Sequence, residues 1–177
     1  MAGILAFAGS NSSKSINYEL VKFTLSKIQQ HETDSLNLAN YPFPMFSVDL
    51  EEKDGYSNSL VELKNEIQDA DALLIAVNEH NGHLSAYFKN MLDWLSRLDR
   101  KFMLNKKVFL MGASTGKGGA KGAINMAVTL LPRFGATISA TFSMPSFGTN
   151  FSTEEGILDT DLLEAHQAAL QDFLKSL

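Results

Sequence analysis

The sequence contains no cysteine, and this absence removes several kinds of chemistry at once. Neither a disulfide framework nor a thiolate nucleophile or metal ligand can be built from its 177 residues. No apolar run approaches the roughly 18 residues that a membrane-spanning helix requires. The chain also begins without the basic segment and apolar run of a secretory leader. These absences predict a cytoplasmic protein that does not enter a membrane.

Acidic side chains are missing from one long part of the chain. From Arg100 to Thr153 there is no Asp or Glu, although the net charge of the whole chain is -5. The Lys and Arg residues of this segment predict that its loops meet a small polyanionic ligand, unless they pair with acids elsewhere. Nucleic acid is not expected as a partner, because basic runs interleaved with exposed aromatic residues are lacking.

Apolar runs alternate with helical patterns along the whole chain, which predicts one domain, residues 1–177. The composition, 45% hydrophobic and 20% charged, is that of a globular protein with a sizeable core. Strands are predicted at residues 4–8, 35–38, 72–77, 107–111 and 137–142, and helices at 18–31, 58–68, 85–98, 123–132 and 159–177. This alternation predicts a flavodoxin-like α/β fold. In this doubly wound sandwich, helices cover both faces of a five-stranded parallel sheet of order 2-1-3-4-5.

The first predicted strand ends in Gly9, which would allow a sharp turn, and in a cluster of hydroxyl and amide side chains. Because a helical pattern follows, the free N–H groups and positive dipole end of that helix should face this loop and bind an anion. Short donor side chains suit a terminal phosphate. The predicted contacts are Ser10, Ser12, Ser15, Ile16 and Asn17. The alternative is an ordinary capped helix in which Ser13 or Ser15 only satisfies N–H groups.

Two further loops should lie beside the first, because this strand order places a switch point between the first and third strands. The loop after the third strand offers peptide groups, and the glycine-rich loop after the fourth lets the backbone approach a flat ring. A phosphate joined to a planar heterocycle fits all three loops, and flavin mononucleotide (FMN) is such a molecule. The predicted contacts in these two loops are Asn78, Glu79, His80, Asn81, Gly82, Ser114, Thr115, Gly116 and Gly119.

Aromatic residues and prolines crowd the segment 39–55, and its prolines exclude a central strand. Two interpretations stay open for this long loop. It is either a hydrophobic flap tucked over a helix, or a wall of a flat-ligand pocket or a subunit contact. Near the other end of the chain, His166 lies beside an apolar helix face and is predicted to be structural.

Three motifs resemble the NAD(P)H-dependent FMN reductases, a family that includes quinone, azo-dye and chromate reductases. The family's phosphate loop reads Gly-Ser-x-Arg-x-x-Ser-x-Asn, and the matching residues are Gly9, Ser10, Ser15 and Asn17. Its second motif reads Pro-Glu-Tyr-Asn followed by Lys-Asn-x-x-Asp-Trp, and the matches are Glu79, Asn81, Lys89, Asn90, Asp93 and Trp94. A third, Ser-x-Gly-x-x-Gly-Gly, is close to Ser114, Gly116, Gly118 and Gly119.

This chain departs from the family pattern at several positions. Ser12 replaces the Arg of the phosphate loop, which removes a charge partner that Lys14 could supply instead. Asn78 replaces the Pro of the second motif, and His80 replaces its Tyr beside the expected ring position. Lys117 could attract the phosphates of a pyridine nucleotide, or it could be a solvated surface lysine.

The resemblance implies an NAD(P)H-dependent FMN reductase of the quinone reductase type. NADPH or NADH would reduce bound FMN and leave, and a quinone, azo compound, free flavin or similar small acceptor would take the electrons in ping-pong order. No catalytic side chain is then required, because the flavin carries the hydride. A homodimer or homotetramer is implied, with contacts expected in the 41–46 segment and the 85–98 helix.

The alternative function is a flavodoxin-type electron carrier without its own NAD(P)H activity. Such carriers are more acidic and flank the ring with aromatic residues, whereas this chain has His and Gly at those places. A flavin-less scaffold on the same fold is a third possibility. Metal binding by His80 and His83 with Glu79 lacks a further ligand, so no metal is predicted. The segment 112–118 fails as a Walker loop, since it has one residue too few before Gly116 and Lys117.

Overall fold

The computed structural model describes residues 1–177 as a parallel sheet with helices on both of its faces. In chain order the elements are β1 (Gly3–Ala8), α1 (Ile16–Leu25), β2 (Glu32–Leu36), α2 (Val48–Asp54), α3 (Asn58–Asp69), β3 (Ala72–Val77), β4 (Glu79–His80), β5 (His83–Leu84), α4 (Ala86–Leu98), β6 (Lys107–Ala113), α5 (Lys121–Leu130), β7 (Thr137–Met144), α6 (Phe147–Asn150), β8 (Phe151–Ser152), β9 (Gly156–Ile157) and α7 (Thr160–Lys175). None of these helices has the length and apolar content that crossing a bilayer requires.

The main sheet has the strand order β2-β1-β3-β6-β7, and all of its strands run parallel. Counted within this sheet alone, the order is 2-1-3-4-5, which confirms the predicted flavodoxin-like arrangement. Every residue of β3 is buried, as its apolar sequence Ala-Leu-Leu-Ile-Ala-Val requires of a strand covered on both faces. The carboxyl ends of β1, β3 and β6 therefore lie side by side at one edge of the sheet.

The sheet divides the interior into two hydrophobic cores, because successive side chains of a strand point to opposite faces. Leu73 and Ile75 of β3 pack on one face with α3, α4 and α5. Leu74 and Ala76 pack on the other face with α1 and α7. Helices on both faces confirm the doubly wound sandwich and fix the two ends of every loop at the carboxyl edge.

Gly9 is needed for packing rather than for a special backbone conformation. Its N–H donates to Ala76 O at 2.8 Å and so continues the ladder between β1 and β3, and its φ is not positive. A Cβ at this position would lie 2.7 Å from Cγ of Phe88, which is inside van der Waals contact. The chain bends at Gly9, as predicted, but this bend does not require a left-handed glycine conformation. The glycine allows α4 to pack against the end of β1.

Several element boundaries differ from the sequence-based ones, each for a local reason. β2 spans Glu32–Leu36 rather than residues 35–38, because this edge strand is largely exposed and shows no apolar signature. α1 ends at Leu25 instead of near residue 31. Directly after its end, the Ser26 side chain donates to Phe23 O at 2.7 Å. The segment predicted as one long loop contains α2, which Ser47 caps through the N–H of Leu50 at 3.1 Å.

His166 joins α7 to α1 inside the second core, which confirms its structural role. The ring is fully buried, and its Nε2 lies 2.8 Å from Thr24 Oγ1. Since Thr24 donates its own proton to Leu20 O at 2.8 Å, His166 Nε2 is the donor in this contact. His166 Nδ1 has no partner and is surrounded by phenylalanine rings. Burial, helped by the charge of Lys27, lowers the pKa of His166 to about 4.

This lowered pKa predicts a loss of stability in mild acid. The folded state disfavours the charged imidazole, whereas the unfolded chain protonates it near pH 6.5, so the contribution of His166 is complete above pH 6.5 and falls as the pH drops towards 4. The expected loss is about 3 kcal/mol of unfolding free energy. Urea unfolding of the wild type and of His166→Gln from pH 7 to pH 4 measures it. Glutamine keeps a donor for Thr24 but cannot be protonated, so equal pH slopes for the two proteins would contradict this account.

Candidate cofactor-binding site

Three loops meet at the carboxyl edge of the sheet and enclose a cleft of about 310 Å³. They are the phosphate loop (residues 9–17), the β4–β5 hairpin (residues 78–84) and the glycine-rich loop (residues 114–119). The lining residues are Ser10, Ser12, Lys14, Ser15, Ile16, Asn17, Asn78, Glu79, His80, Ala113, Ser114 and Thr115. Of the residues predicted from the sequence as contacts, only Asn81, Gly82, Gly116 and Gly119 do not line it. Lys14 and Ala113 line it in addition.

The hydroxyl groups of the phosphate loop keep their protons available for a ligand. Ser10 Oγ accepts from the N–H of Ser12, Ser12 Oγ from that of Lys14, and Ser15 Oγ from that of Tyr18, each at 3.2 Å. None of the three hydroxyls donates to a protein acceptor. A hydroxyl group has one proton to donate, so all three serine hydroxyls can still donate to a ligand.

Backbone amides at the start of α1 add to this donor set. The N–H groups of Ile16 and Asn17, in the first turn of the ten-residue helix, have no protein acceptor. They stand at the positive end of the helix dipole, with the Lys14 side chain in the same cleft wall. Ser15 also caps the helix, as the alternative interpretation expected, but the cap does not use the hydroxyl proton. The donor set has the chemistry of a phosphate site.

The Asn17 side chain faces away from this role and links the phosphate loop to β6. Its Nδ2 donates to Ala113 O at 3.1 Å, and its Oδ1 accepts from Ala113 N at 2.7 Å. The residue is only 2% exposed. The sequence-based expectation that the Asn17 amide is a free donor is therefore wrong. It saturates both backbone groups of Ala113 at the floor of the cleft.

Two more side chains link these loops to the helices that follow them. Ser85, which caps α4 through the N–H of Phe88, donates its hydroxyl to Gly9 O at 3.1 Å. Glu79 Oε2 accepts from the N–H of Ala123 in α5 at 2.9 Å. Together with the Asn17–Ala113 pair, these interloop contacts connect the three cleft-forming segments to one another. These contacts hold the walls of the cleft together without a ligand.

The glycine-rich loop is closed by hydrogen bonds of its own. Ser114 Oγ donates to Gly116 O at 3.0 Å and accepts from Gly119 N at 2.9 Å. Gly119 has a φ of 61°, which favours glycine, and a Cβ there would lie 3.0 Å from the backbone nitrogen of Pro145. Gly116 differs, because its φ is not positive and a Cβ would meet no atom within 4 Å. The fold itself does not require glycine at position 116, so the open loop surface is free for a ligand to approach.

The loop predicted after the third strand forms a short hairpin. β4 and β5 pair antiparallel, and Asn81 and Gly82 at the tip have φ values of 54° and 74°. Two positive φ values define a type I′ turn, for which Asn-Gly is a favoured dipeptide. This local signal could have predicted the hairpin from the sequence.

Asn78 and His80 bring polar atoms to the hairpin side of the cleft. Asn78 Nδ2 lies 3.3 Å from His80 Nε2, while Asn78 Oδ1 is buried without a partner. Since an unsatisfied buried acceptor is costly, Asn78 Oδ1 is an atom that a ligand N–H would stabilise. His80 faces His83 across the hairpin, and no group of three or more His, Asp or Glu side chains is arranged to hold a metal ion.

The aromatic segment before α2 is a flap packed over α4. Pro44 O accepts from Asn90 Nδ2 at 2.9 Å and from Trp94 Nε1 at 2.8 Å, and Phe46 N donates to Asn90 Oδ1 at 2.8 Å. Of the two open interpretations, the tucked flap is therefore the one present within this chain. The Lys-Asn-x-x-Asp-Trp motif thus holds the flap through its buried residues. Its Lys89 and Asp93 form a half-exposed ion pair at 2.5 Å.

Most bases of the acid-free segment lie far from the cleft, which corrects the expectation drawn from charge. Lys106 Nζ donates to Gln68 O at 2.6 Å and Lys101 Nζ to Arg133 O at 3.1 Å, both near the amino ends of β6 and β7. The segment crosses the sheet, so its residues divide between opposite edges. Among the bases of this segment, only Lys117 and Lys121 lie at the carboxyl edge of the sheet.

The sheet order, the donor-lined first loop and the cleft at the switch point define a flavodoxin-like nucleotide-binding protein. The chain belongs to the NADPH-dependent FMN reductase family, whose model matches residues 2–149. This membership confirms the resemblance found in the three motifs.

Individual relatives agree with this assignment. A quinone reductase of Escherichia coli is 29% identical over 120 residues, 67% of this chain and 63% of the relative. An NAD(P)H-dependent FMN reductase of Pseudomonas aeruginosa is 28% identical over 130 residues, 72% of this chain and 69% of the relative. An uncharacterised Mycoplasma pneumoniae protein is 33% identical over 88 residues, and this chain covers 51% of it. The chain thus spans about half of the Mycoplasma pneumoniae relative and less than two thirds of the Escherichia coli relative.

Solved structures share the fold along the whole chain. The flavoenzyme FerB of Paracoccus denitrificans, an NAD(P)H:(acceptor) oxidoreductase, superposes with a TM-score of 0.79 at 22% identity, covering 99% of this chain and 96% of its own. The apo form of the NADH:FMN oxidoreductase EMOB gives a TM-score of 0.75 at 18% identity, covering 100% of this chain and 90% of its own.

Proposed function

We propose that this chain binds FMN in the cleft and acts as an NAD(P)H oxidoreductase. Its acceptor would be a quinone, an azo compound, free flavin or a similar small molecule. The observation that carries the proposal is the free donor set of the phosphate loop beside an open glycine-rich loop. Family membership and the names of the Escherichia coli and Pseudomonas aeruginosa relatives support the same activity.

The residues of the cleft fit both ends of FMN. The hydroxyls of Ser10, Ser12 and Ser15 and the amides of Ile16 and Asn17 would hold the phosphate. The family's Arg is absent here, and Lys14 in the same cleft wall would supply a positive charge in its place. The whole donor set needs no large movement, because the interloop contacts already hold the loops together.

The other two loops would hold the ring. Asn78 Oδ1, which has no partner in the protein, would accept a hydrogen bond from a ring N–H. The backbone of the hairpin from Asn78 through Glu79, His80, Asn81 and Gly82, and of Ser114, Thr115 and Gly116, would line its edges. Gly119 would act by shaping the glycine-rich loop. His80 stands at the position of the family's Tyr and would contact the ring or the acceptor.

When bound, FMN would supply the redox chemistry, by which a hydride from NADPH or NADH is passed on to the acceptor in ping-pong order. The residues of the chain would bind and orient the cofactor and the reactants. No serine hydroxyl of the cleft is hydrogen-bonded to a histidine or carboxylate that could activate it as a nucleophile, and the Glu79 carboxylate is hydrogen-bonded to α5. This arrangement fits an enzyme whose side chains position the reactants.

We further propose a single domain, residues 1–177, that assembles as a homodimer or homotetramer. The flap and α4 are the proposed contacts, because Met45 is 70% exposed and Val48 is 53% exposed beside them. Gel filtration with light scattering tests the assembly. The cytoplasmic location expected from the sequence stays a prediction.

An anaerobic titration tests the proposed function. The apoprotein is titrated with FMN and then mixed with NADPH or NADH while the flavin absorbance is followed. We expect FMN to bind and to bleach rapidly, and a quinone to restore the colour. Tight binding without bleaching would favour the electron carrier instead, and a failure to bind FMN would contradict the proposal outright.

A further inference from the structure

Helix α5 begins beside the cleft without a cap of its own. The residue before it, Ala120, has a φ of 59° and no side-chain hydrogen bond to the first turn. The first turn contains no acidic residue and starts with Lys121, which the positive end of the helix dipole disfavours. A helix that starts in this way leaves its first N–H groups to be satisfied from elsewhere.

Glu79 supplies the missing cap from the hairpin. Its Oε2 accepts from the N–H of Ala123 at 2.9 Å, across 44 residues of sequence, and brings a negative charge to the positive end of α5. The approach is close enough to demand a glycine in the helix. A Cβ at Gly122 would lie 2.8 Å from Glu79 Oε2 and 2.6 Å from Gly82 O. Helix, carboxylate and hairpin tip are therefore in direct contact.

We infer that Glu79 is a positioning residue, which fixes the hairpin backbone toward the cofactor by capping α5, and that its carboxylate is not a cofactor contact. The inference deepens the proposed function and rests on it. It reassigns a residue that the sequence pattern grouped with the flavin contacts. Glu79 lines the cleft, and its carboxylate oxygen Oε2 accepts from the N–H of Ala123 in α5.

Two features of the hairpin explain why it needs an external anchor. The hairpin has only two residues in each strand, so it pairs through a single short ladder. Its tip residues Asn81 and Gly82 are exposed, and Leu84 is its only residue in a hydrophobic core. Without the Glu79–Ala123 hydrogen bond, the backbone from Asn78 to Gly82 would sample several orientations. The entropy lost in ordering this backbone would then reduce the affinity for FMN.

The test uses Glu79→Ala and Glu79→Gln, with Asp159→Ala as the matched control. Asp159 caps α7 through the N–H of Leu162 at 2.9 Å, so its removal costs a helix cap of the same kind away from the cleft. Amide hydrogen exchange of Ala123 and of the hairpin is measured in each apoprotein. FMN affinity is then measured by calorimetry.

We expect Glu79→Ala to speed Ala123 and hairpin exchange by about tenfold and to weaken FMN binding by about tenfold. Glu79→Gln keeps an acceptor for Ala123 and should restore both to within about threefold. Asp159→Ala should lower thermal stability and leave FMN affinity unchanged. The exchange measurement needs no flavin, so it reports the cap even if the wild type binds no FMN.

Two outcomes would overturn the inference. If Glu79→Gln keeps the slow exchange of Ala123 but loses FMN binding as fully as Glu79→Ala does, the carboxylate contacts the cofactor directly. If Glu79→Ala speeds exchange and leaves FMN affinity unchanged, the cap is only a structural feature of α5.

Discussion

Replacing Asn17 by alanine is expected to weaken FMN binding by about a hundredfold and to lower the free energy of unfolding by about 2–4 kcal/mol. The substitution removes both hydrogen bonds to Ala113 and leaves a buried N–H and a buried C=O without partners. It also releases the start of α1 from the end of β6, so the phosphate donors lose their fixed position. Urea unfolding of the apoprotein and calorimetric titration with FMN measure the two effects.

Asn11→Ala is the matched control for this experiment. Asn11 lies in the same loop, is exposed and makes no side-chain hydrogen bond within the protein. Its substitution should leave stability within about 0.5 kcal/mol of the wild type. If Asn17→Ala were as mild as Asn11→Ala, the interloop contact would have no part in shaping the cleft.

Placing a negative charge in the phosphate loop should have the second large effect on FMN binding. A carboxylate at position 10 would stand beside the dianionic phosphate, and at about 4 Å this repulsion is worth several kcal/mol near a protein surface. Ser10→Asp is therefore expected to weaken FMN binding more than a hundredfold. Riboflavin, which has no phosphate, should lose far less affinity, because the repelled group is absent.

A second site separates this repulsion from misfolding. Ser10 is only 7% exposed, so a buried carboxylate there could also destabilise the chain. Ser12 is exposed, and Ser12→Asp should repeat the selective loss of FMN over riboflavin in a stably folded protein. The uncharged Ser12→Asn serves as its control. Equal losses of FMN and riboflavin affinity would place the phosphate elsewhere.

The parts of the fold that local pattern determines could be predicted from the sequence. β3 is apolar on both faces, and its predicted bounds, residues 72–77, are those of the structure. The alternation of strands and helices gave the sheet order, and the sheet order brought three loops to one switch point. The polar composition of those loops, with Ser10 and Ser12 at the first, then predicted the kind of ligand.

The uses of individual side chains could not be predicted, because they depend on contacts between distant parts of the chain. Asn17 bonds to a residue 96 positions away and Glu79 to one 44 positions away. From sequence alone both looked like ligand contacts, since polar residues of a binding loop and polar residues that hold such loops together have the same composition. Gly9 is a related case, in which the space needed by Phe88 was not visible locally.

The position of the cofactor is tested most directly by NMR. Backbone amide shifts of the apoprotein are followed as FMN is added. We expect the largest changes on Ile16 and Asn17 of the phosphate loop, on the hairpin amides and on Thr115. A second cavity, of about 370 Å³, is lined by Gly3, Glu32 and Glu66. Shift changes confined to that cavity, with the three loops unaffected, would contradict the proposed position of FMN.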